Sequence, residues 1–505
     1  MIAQTALQTP EVDWLAFAPE LALFSAALLI VLLRALVRHS PRVFGWSLGL
    51  AVAGIAASGV CTWAVWDAVE EDGPYEAMAG MVAVDGFSVF LRVVVLVATL
   101  LAVLVAVRYL RREGLEGPEY LALVLLSATG MMLMVSANDL VIVFLALEIL
   151  SIALYVLAAF DRRRVESQEA GLKYFLLGAF SSAVLLYGIA LVYGATGTTQ
   201  LTGVDGFLAS TTLLDDGVLL AGMALLLVGL GFKVGAVPFH QWVPDVYEGS
   251  PTPVTTFMAA ATKAAAFGAI LRIFVGSFAA FALDWRPVVA ALAVLSLVVG
   301  SVAALVQTDV KRMLAYSSIT NAGYILIGVV AAASAGTAEV GTAAVLFYLL
   351  VYACMIAGSF AVVTLVARRG DERHALADYR GLGAREPMLA GLLTWFLLAQ
   401  AGVPLTGGFV AKLTIFSAGI DAGQYWLVLV GVIVAVVSAF VYLRIVVTMY
   451  AADDGPPEES AGPIRIDVAS GTALFVAATA LLLIGVLPNV FLDFARDATL
   501  LVAGG

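Results

Sequence analysis

Long apolar runs broken by short polar stretches follow one another along the whole chain. The short alternating strands of a membrane barrel are absent from the pattern. A bilayer is crossed by about 20 mostly apolar residues, and on that length the pattern predicts roughly fourteen spans. They run over 14–37, 44–66, 85–110, 119–137, 140–160, 169–195, 218–240, 252–275, 287–307, 313–333, 340–367, 388–420, 425–450 and 468–494. The longest stretches between them, 67–84, 196–217, 368–387 and 451–467, are too short for a soluble domain. The expected fold class is therefore an all-α polytopic membrane protein forming a single transmembrane domain over 1–505.

Composition closes the alternatives. Of 505 residues, 62% are apolar and 12% charged, and mean hydropathy is +1.02. A soluble domain carries roughly a quarter of its residues as charges, so a cytosolic enzyme, a secreted disulfide scaffold and a disordered chain are excluded. Cys61 and Cys354 both lie in apolar stretches, and His39, His240 and His374 are scattered. Neither set suggests a disulfide framework, a zinc site, an iron–sulfur cluster or a haem pair. The chain is thus expected to carry no redox cofactor or metal of its own. Residues 1–14 hold no basic residue and do not read as a signal peptide.

The net charge of −11 says less than its distribution. One set of loops is basic: Arg34, Arg38 and Arg42; Arg108, Arg111 and Arg112; Arg162, Arg163 and Arg164; Lys311 and Arg312; Arg368, Arg369, Arg373, Arg380 and Arg385. The alternate set is acidic, as at Glu11, Asp13, Glu70, Glu71, Asp72, Glu76, Asp215 and Asp216, with only Arg286 and Arg496 as basic residues. The positive-inside rule then places both termini outside and demands an even number of spans. The loop over 240–253, on the inner side, has no Lys or Arg.

Ionisable residues deep in spans carry the chemistry. Glu148 lies near the middle of the fifth span, Lys233 in the seventh, Lys263 in the eighth and Lys412 in the twelfth; Lys173 is nearer the inner end of the sixth. Each deep one costs about 2.5–3.5 kcal/mol on insertion scales, or roughly 10–14 kcal/mol for four. Lysine usage sharpens the point: arginine supplies nearly all loop charge, yet four of the five lysines (173, 233, 263, 311, 412) fall inside spans. A buried lysine can release its proton, whereas arginine cannot. His240 follows Lys233 by two helical turns and is a candidate relay. A structural ion pair is the plain alternative for Glu148 with Lys233, and Lys173 could snorkel, as Arg92, Arg272 and Arg444 near span ends are expected to do.

Gly229, Gly231, Gly235 and Pro238 surround Lys233, and Gly402, Pro404, Gly407 and Gly408 precede Lys412. Such clusters predict discontinuous helices at an ion site. The span order then reads as three N-terminal helices (1–116), a first five-helix repeat (117–276), an inverted second repeat (287–450) and a last helix (468–494), with the broken span fourth in each repeat.

The stretch GFKVGAVPFHQWVPDVYEGSPTPVTTFMAAATKAAAF (231–267), the run QTDVKRMLAYSSITNAGY (307–324) and GVPLTGGFVAKLTIF (402–416) resemble the antiporter-like membrane subunits of proton-pumping NADH:quinone oxidoreductase, respiratory complex I. The resemblance spans nearly the whole chain. Lys412, where subunit M is expected to carry glutamate, the loop ALADYRGLG (375–383) and the lack of the long lateral C-terminal helix of subunit L narrow it within the family. It implies a proton relay in which Glu148 pairs with Lys233, Lys263 is central, Lys412 is terminal and faces the outward half-channel, and Lys173 and His240 are accessory. It further implies neighbours homologous to subunits M and K in a bacterial plasma (inner) membrane, and NADH, FMN, iron–sulfur clusters and quinone held by partner subunits. The alternatives are an Mrp-type cation/proton antiporter subunit, which shares much of the first motif, a self-contained solute transporter, and a structural subunit with a vestigial site.

Overall fold

The computed structural model describes residues 12–37, 40, 42–211, 216–452, 464–498 and 500. Glu11, Arg38, His39 and Asp215 lie outside the described residues. Helices α1 (Trp14–Leu36) and α2 (Val43–Asp72) are followed by a hairpin of β1 (Tyr75–Ala77) and β2 (Val82–Val84), paired antiparallel with Tyr75 opposite Val84. Then come α3 (Gly86–Glu113), α4 (Pro118–Ser136), α5 (Leu140–Ala158), α6 (Val165–Thr196), the short α7 (Leu201–Ser210), α8 (Gly217–Val234) and α9 (Trp242–Gly249). The eighth span comprises α10 (Thr252–Phe257), a π turn (Met258–Thr262), α11 (Lys263–Ile270) and a second π turn (Leu271–Ser277). Next are α12 (Ala282–Val306), α13 (Val310–Ala332) and α14 (Ala338–Val366), then the short α15 (Leu382–Arg385). The chain closes with α16 (Pro387–Ala401), α17 (Gly407–Asp421), α18 (Tyr425–Tyr450), α19 (Val468–Val486) and α20 (Pro488–Asp497).

Among the described residues, thirteen helices are long and apolar enough to cross a membrane. The remaining expected span, 388–420, is divided into α16 and α17, each too short on its own. The seventh span was expected to run to His240, but α8 stops at Val234, where Gly235 takes a left-handed conformation that glycine adopts without steric cost. The last span ends at Val486 rather than 494, because Pro488 cannot continue the ladder and starts the amphipathic α20. Two stretches expected as plain loops hold structure: the hairpin in 67–84 and α7 in 196–217.

The sequence marks several helix starts with a side chain that satisfies free backbone donors. Asp85 and Ser88 form a reciprocal capping box at α3, and Asp139 and Asp309 cap α5 and α13. The helices pack through small residues, as bilayer helices must when lipid and side chain are equally apolar. A Cβ on Gly323 of α13 would lie 2.8 Å from the backbone nitrogen of Leu297 on α12, so the two backbones touch. The eighth span, α13 and α14 are the most deeply enclosed, with 94%, 94% and 100% of their apolar windows buried. The core therefore lies where Lys263 and the SSITN run of α13 meet.

Arg92 and Arg272 do not snorkel. Arg92 is fully buried and pairs with Glu20 of α1 at 2.8 Å. Arg272 grips Asp85 with both terminal nitrogens, at 2.8 and 2.9 Å, and donates to the Val135 carbonyl. Each reaches a carboxylate on another helix, which a linear reading of span ends cannot reveal. Arg444 donates to the carbonyls of Leu305 and Gln307 at the end of α12. The basic loops gather at one face, joined by Arg34–Glu119, Arg112 to the Thr364 carbonyl, Arg163 to the Glu113 carbonyl and Arg164–Asp371. At the opposite face Glu76 of the hairpin accepts from Asn138, Gln200 and Thr202, tying α4, α5 and α7 together.

Candidate functional site

Lys233 occupies the last turn of α8, just before the break, and is buried. Its ammonium donates to the Ser151 hydroxyl of α5 at 2.7 Å and stands 5.3 Å from the Tyr174 ring centroid and 5.6 Å from that of Tyr155. Glu148, Ser151 and Tyr155 are spaced by three and four residues, so they share one face of α5. Among the described residues no ion pair joins Glu148 to Lys233: the ammonium rests on Ser151, one turn further along, and Glu148 Oε1 is buried without a partner. The Ser151 hydroxyl in turn donates a hydrogen bond to the Leu147 carbonyl.

Lys263 follows the first π turn of the eighth span and is buried. It donates to the Ser318 carbonyl of α13 and lies 5.5 Å from the Tyr352 ring centroid. Ser318 in turn accepts from the Tyr352 hydroxyl at 2.9 Å. Its neighbour Ser317 contacts the Tyr442 hydroxyl at 2.5 Å and Gln400 Oε1 at 3.4 Å. Asn321 donates to the Ser317 carbonyl and accepts from the Tyr348 hydroxyl at 2.6 Å.

Lys412, on α17, is buried and donates to the carbonyls of Gln400 and Ala401, at 2.8 and 3.0 Å. These are carbonyls freed where α16 ends at Gly402, so the break supplies the cradle for the charge. The Lys412 ammonium also faces the Tyr324 ring at 5.0 Å. From Lys263 to Lys412 the polar groups are therefore continuous: Ser318, Ser317 and Gln400, each a hydrogen bond or one residue from the next. Between Lys233 and Lys263 no hydrogen-bonded path runs among the described residues. The space is walled by aromatics, with Trp242 stacked on Tyr174 at 4.6 Å and Tyr247 edge-on to Trp242 at 6.1 Å.

His240 lies in the non-helical link between α8 and α9, part-buried, with Nδ1 enclosed and unpartnered. No hydrogen bond brings it to Lys233. Lys173 is not deep: its side chain is 41% exposed and pairs with Glu169 and Asp245, at 2.6 and 2.8 Å. It lines a cleft of about 670 Å³ in the basic face with Arg164, Glu248, Arg312, Asp371 and His374. Lys311, expected in a basic loop, is the second residue of α13 and has no exposure. Asp371 lies in the loop beside it. Burial alone would raise this carboxyl, but Lys311, His374 and Arg164 outweigh burial and hold it well below the usual range.

Ser317, Ser318, Asn321, Gln400, Tyr348 and Tyr352 were not singled out from the sequence. The signal was present: a polar run, SSITN, inside an apolar helix, and two tyrosines four residues apart on another. Among the described residues no three His, Cys, Asp or Glu side chains converge as a metal set would.

The family model described as NADH:quinone oxidoreductase/Mrp antiporter, TM, matches residues 137–438, which include Glu148, Lys233, Lys263 and Lys412. A curated relative from Trichlorobacter lovleyi, named NADH-quinone oxidoreductase subunit N, is 41% identical over 484 residues, covering 96% of each chain. Among solved structures, a chain of respiratory complex I from Thermus thermophilus is 32% identical, with a TM-score of 0.78 over 95% of this chain and all of that one. A chain of the Mrp complex from Dietzia superposes with a TM-score of 0.79 over 96% of each chain, at 23% identity, and shares the fold.

Proposed function

The chain belongs to the NADH:quinone oxidoreductase/Mrp antiporter transmembrane family, and from that membership we propose that it is a proton-translocating membrane-arm subunit of a bacterial NADH:quinone oxidoreductase. The observation that carries the reading is the buried polar file from Lys263 through Ser318, Ser317 and Gln400 to Lys412. Four enclosed lysines and a carboxylate are costly in a bilayer unless they work, and lysine can exchange a proton where arginine cannot.

In this mechanism Glu148 and Ser151 compete for the Lys233 ammonium. Glu148 close to Lys233 keeps the proton there; on Ser151, Lys233 has a neutral partner and gives the proton up more readily towards Lys263. The hydroxyls of Ser317 and Ser318 and the Gln400 amide then bridge to Lys412, whose half-channel opens on the acidic face. Redox chemistry on other subunits, which hold NADH, FMN, iron–sulfur clusters and quinone, supplies the energy. Lys173 and the cleft it lines gather protons at the basic face, and His240 serves as an accessory relay. That face is inward, with both termini outside, because arginine-rich loops stay on the side of synthesis.

The test begins with a mild-detergent pull-down of the tagged chain. Co-purification with flavin and iron–sulfur absorbance and NADH oxidation is expected; hydrophobic partners without chromophores would instead point to an antiporter complex. In the assembled complex, Lys233→Ala or Glu148→Ala is expected to lower proton translocation per NADH while assembly survives. Unchanged stoichiometry in both would overturn the relay.

A further inference from the structure

We propose that Lys311 is a further proton-relay residue, loading Lys263 directly from the basic-face cleft along an entrance that does not pass through Lys233. The inference rests on the relay proposed above and adds a second way into it.

The eighth span and α13 both begin at the basic face, and polar contacts join their surroundings at two levels, at the mouth through Ser250 and Asp371 and at the centre directly. At the mouth, the Lys311 ammonium donates to the Ser250 carbonyl at 2.8 Å and lies 3.5 Å from Asp371, which accepts from the Thr252 hydroxyl at 2.8 Å. At the centre, Lys263 donates to the Ser318 carbonyl. Ser318 is seven residues, or two turns and about 10 Å, beyond Lys311 on the same face of α13. The eighth span carries the buried hydroxyls of Thr252, Thr255 and Thr256, which donate to Asp371, the Tyr247 carbonyl and the Thr252 carbonyl, and a buried, unpartnered Thr262 hydroxyl next to Lys263. Tyr247 meets the Ser318 side chain at the central level.

The outer side of this mouth is the cleft. Asp371 and His374 line it, while Lys311 lies behind them with no exposure. The charged groups around Lys311 are Asp371 and His374 of the loop after α14, Arg164 before α6 and Asp309, the cap of α13. His374 Nε2 is 3.1 Å from Asp371, and its Nδ1 is enclosed without a partner. The chemistry selects lysine: Arg164 and Arg312 already supply permanent charge here, and the position sealed behind Asp371 holds a lysine, which can release a proton where arginine cannot. In the step, the Lys311 ammonium loses a proton through hydroxyls to a neutral Lys263 amine. The Lys311 amine then regains one from the cleft through His374 and Asp371, so one proton moves inward and no other bond changes.

The experiment uses the complete complex in inside-out vesicles, reading NADH-driven proton uptake against NADH oxidation at several pH values. Lys311→Met and Lys263→Met are expected to lower the proton-to-NADH ratio. Lys311→Arg keeps charge and hydrogen bonding but cannot exchange its proton, so it is expected to lose as much as Lys311→Met; a wild-type ratio in Lys311→Arg overturns the proposal. If Lys311→Arg does not assemble, Lys311→His decides. An imidazole with an ordinary value of about 6.5 is expected to restore part of the ratio with a pH profile displaced towards acid. A His variant as inert as Lys311→Met overturns the relay. If Lys263→Met itself pumps normally, the whole lysine file falls, and Lys311 with it.

Discussion

Ser151 decides how Lys233 can respond. Its hydroxyl holds the ammonium at 2.7 Å while Glu148, one turn away, keeps an unpartnered oxygen. In the relay proposed above Glu148 is the second resting place for this ammonium, and a neighbouring subunit then needs only to shift the balance between the two. Ser151→Ala removes one of them. It is expected to leave Lys233 nearer Glu148 and to slow proton translocation several-fold, with Ser151→Thr restoring it; vesicle pumping assays check both. Glu148→Asp is expected to harm pumping less than Glu148→Ala, since the charge remains. Equal losses would mean that reach, rather than charge, sets the pairing.

Broken helices hold two of the lysines, and the second break depends on close backbone approach. At Gly408 a Cβ would lie 1.8 Å from the Ala399 carbonyl oxygen, which belongs to the last turn of α16. Backbone cannot yield as a flexible side chain would, so Gly408→Ala is expected to pry α16 from α17 and to disturb the carbonyl cradle of Lys412. Overpacking of this kind costs about 1–3 kcal/mol, measurable as a lower inactivation temperature with reduced pumping. The buried arginines act differently. Arg272 ties the eighth span to the start of α3, and Arg272→Met would strand Asp85 without its counter-charge. Breaking such a buried pair costs about 3–5 kcal/mol, and reduced assembly in membranes is the expected readout. Both arginines sit near span ends in the sequence, where snorkelling is the ordinary reading; only the fold reveals that Glu20 and Asp85 wait for them.

At the basic face Asp371 collects Lys311, Arg164 and Thr252 from three other parts of the chain, with His374 of its own loop. A carboxyl held below its usual range stabilises the fold fully above its unfolded value of about 3.9 and loses that contribution only as pH falls through the lower folded value. The contribution of Asp371 is therefore expected to be constant from pH 8 to pH 5 and to fade below about pH 4. Asp371→Asn leaves Lys311 sealed without a counter-ion and is expected to cost about 3–5 kcal/mol. Thermal inactivation of the assembled complex across pH checks both: the gap between wild type and variant stays level above pH 5 and narrows in acid.

Spans, breaks and the deep charges Glu148, Lys233, Lys263 and Lys412 were legible in the linear chain, because the bilayer imposes length, apolarity and the cost of charge on each segment separately. Partnership was not legible, since it depends on which helices lie side by side. Lys173 reads as an accessory lysine near the inner end of its span, and packing leaves it in an open cleft beside Asp245; Lys311 reads as a loop charge, yet α13 and the loop after α14 close over it. Glu148 reads as the partner of Lys233, and the ammonium rests one turn further along the same face of α5, on Ser151. Hydrophobic pattern determines that a residue is in the membrane; only the contact of one helix face with another determines what it meets there.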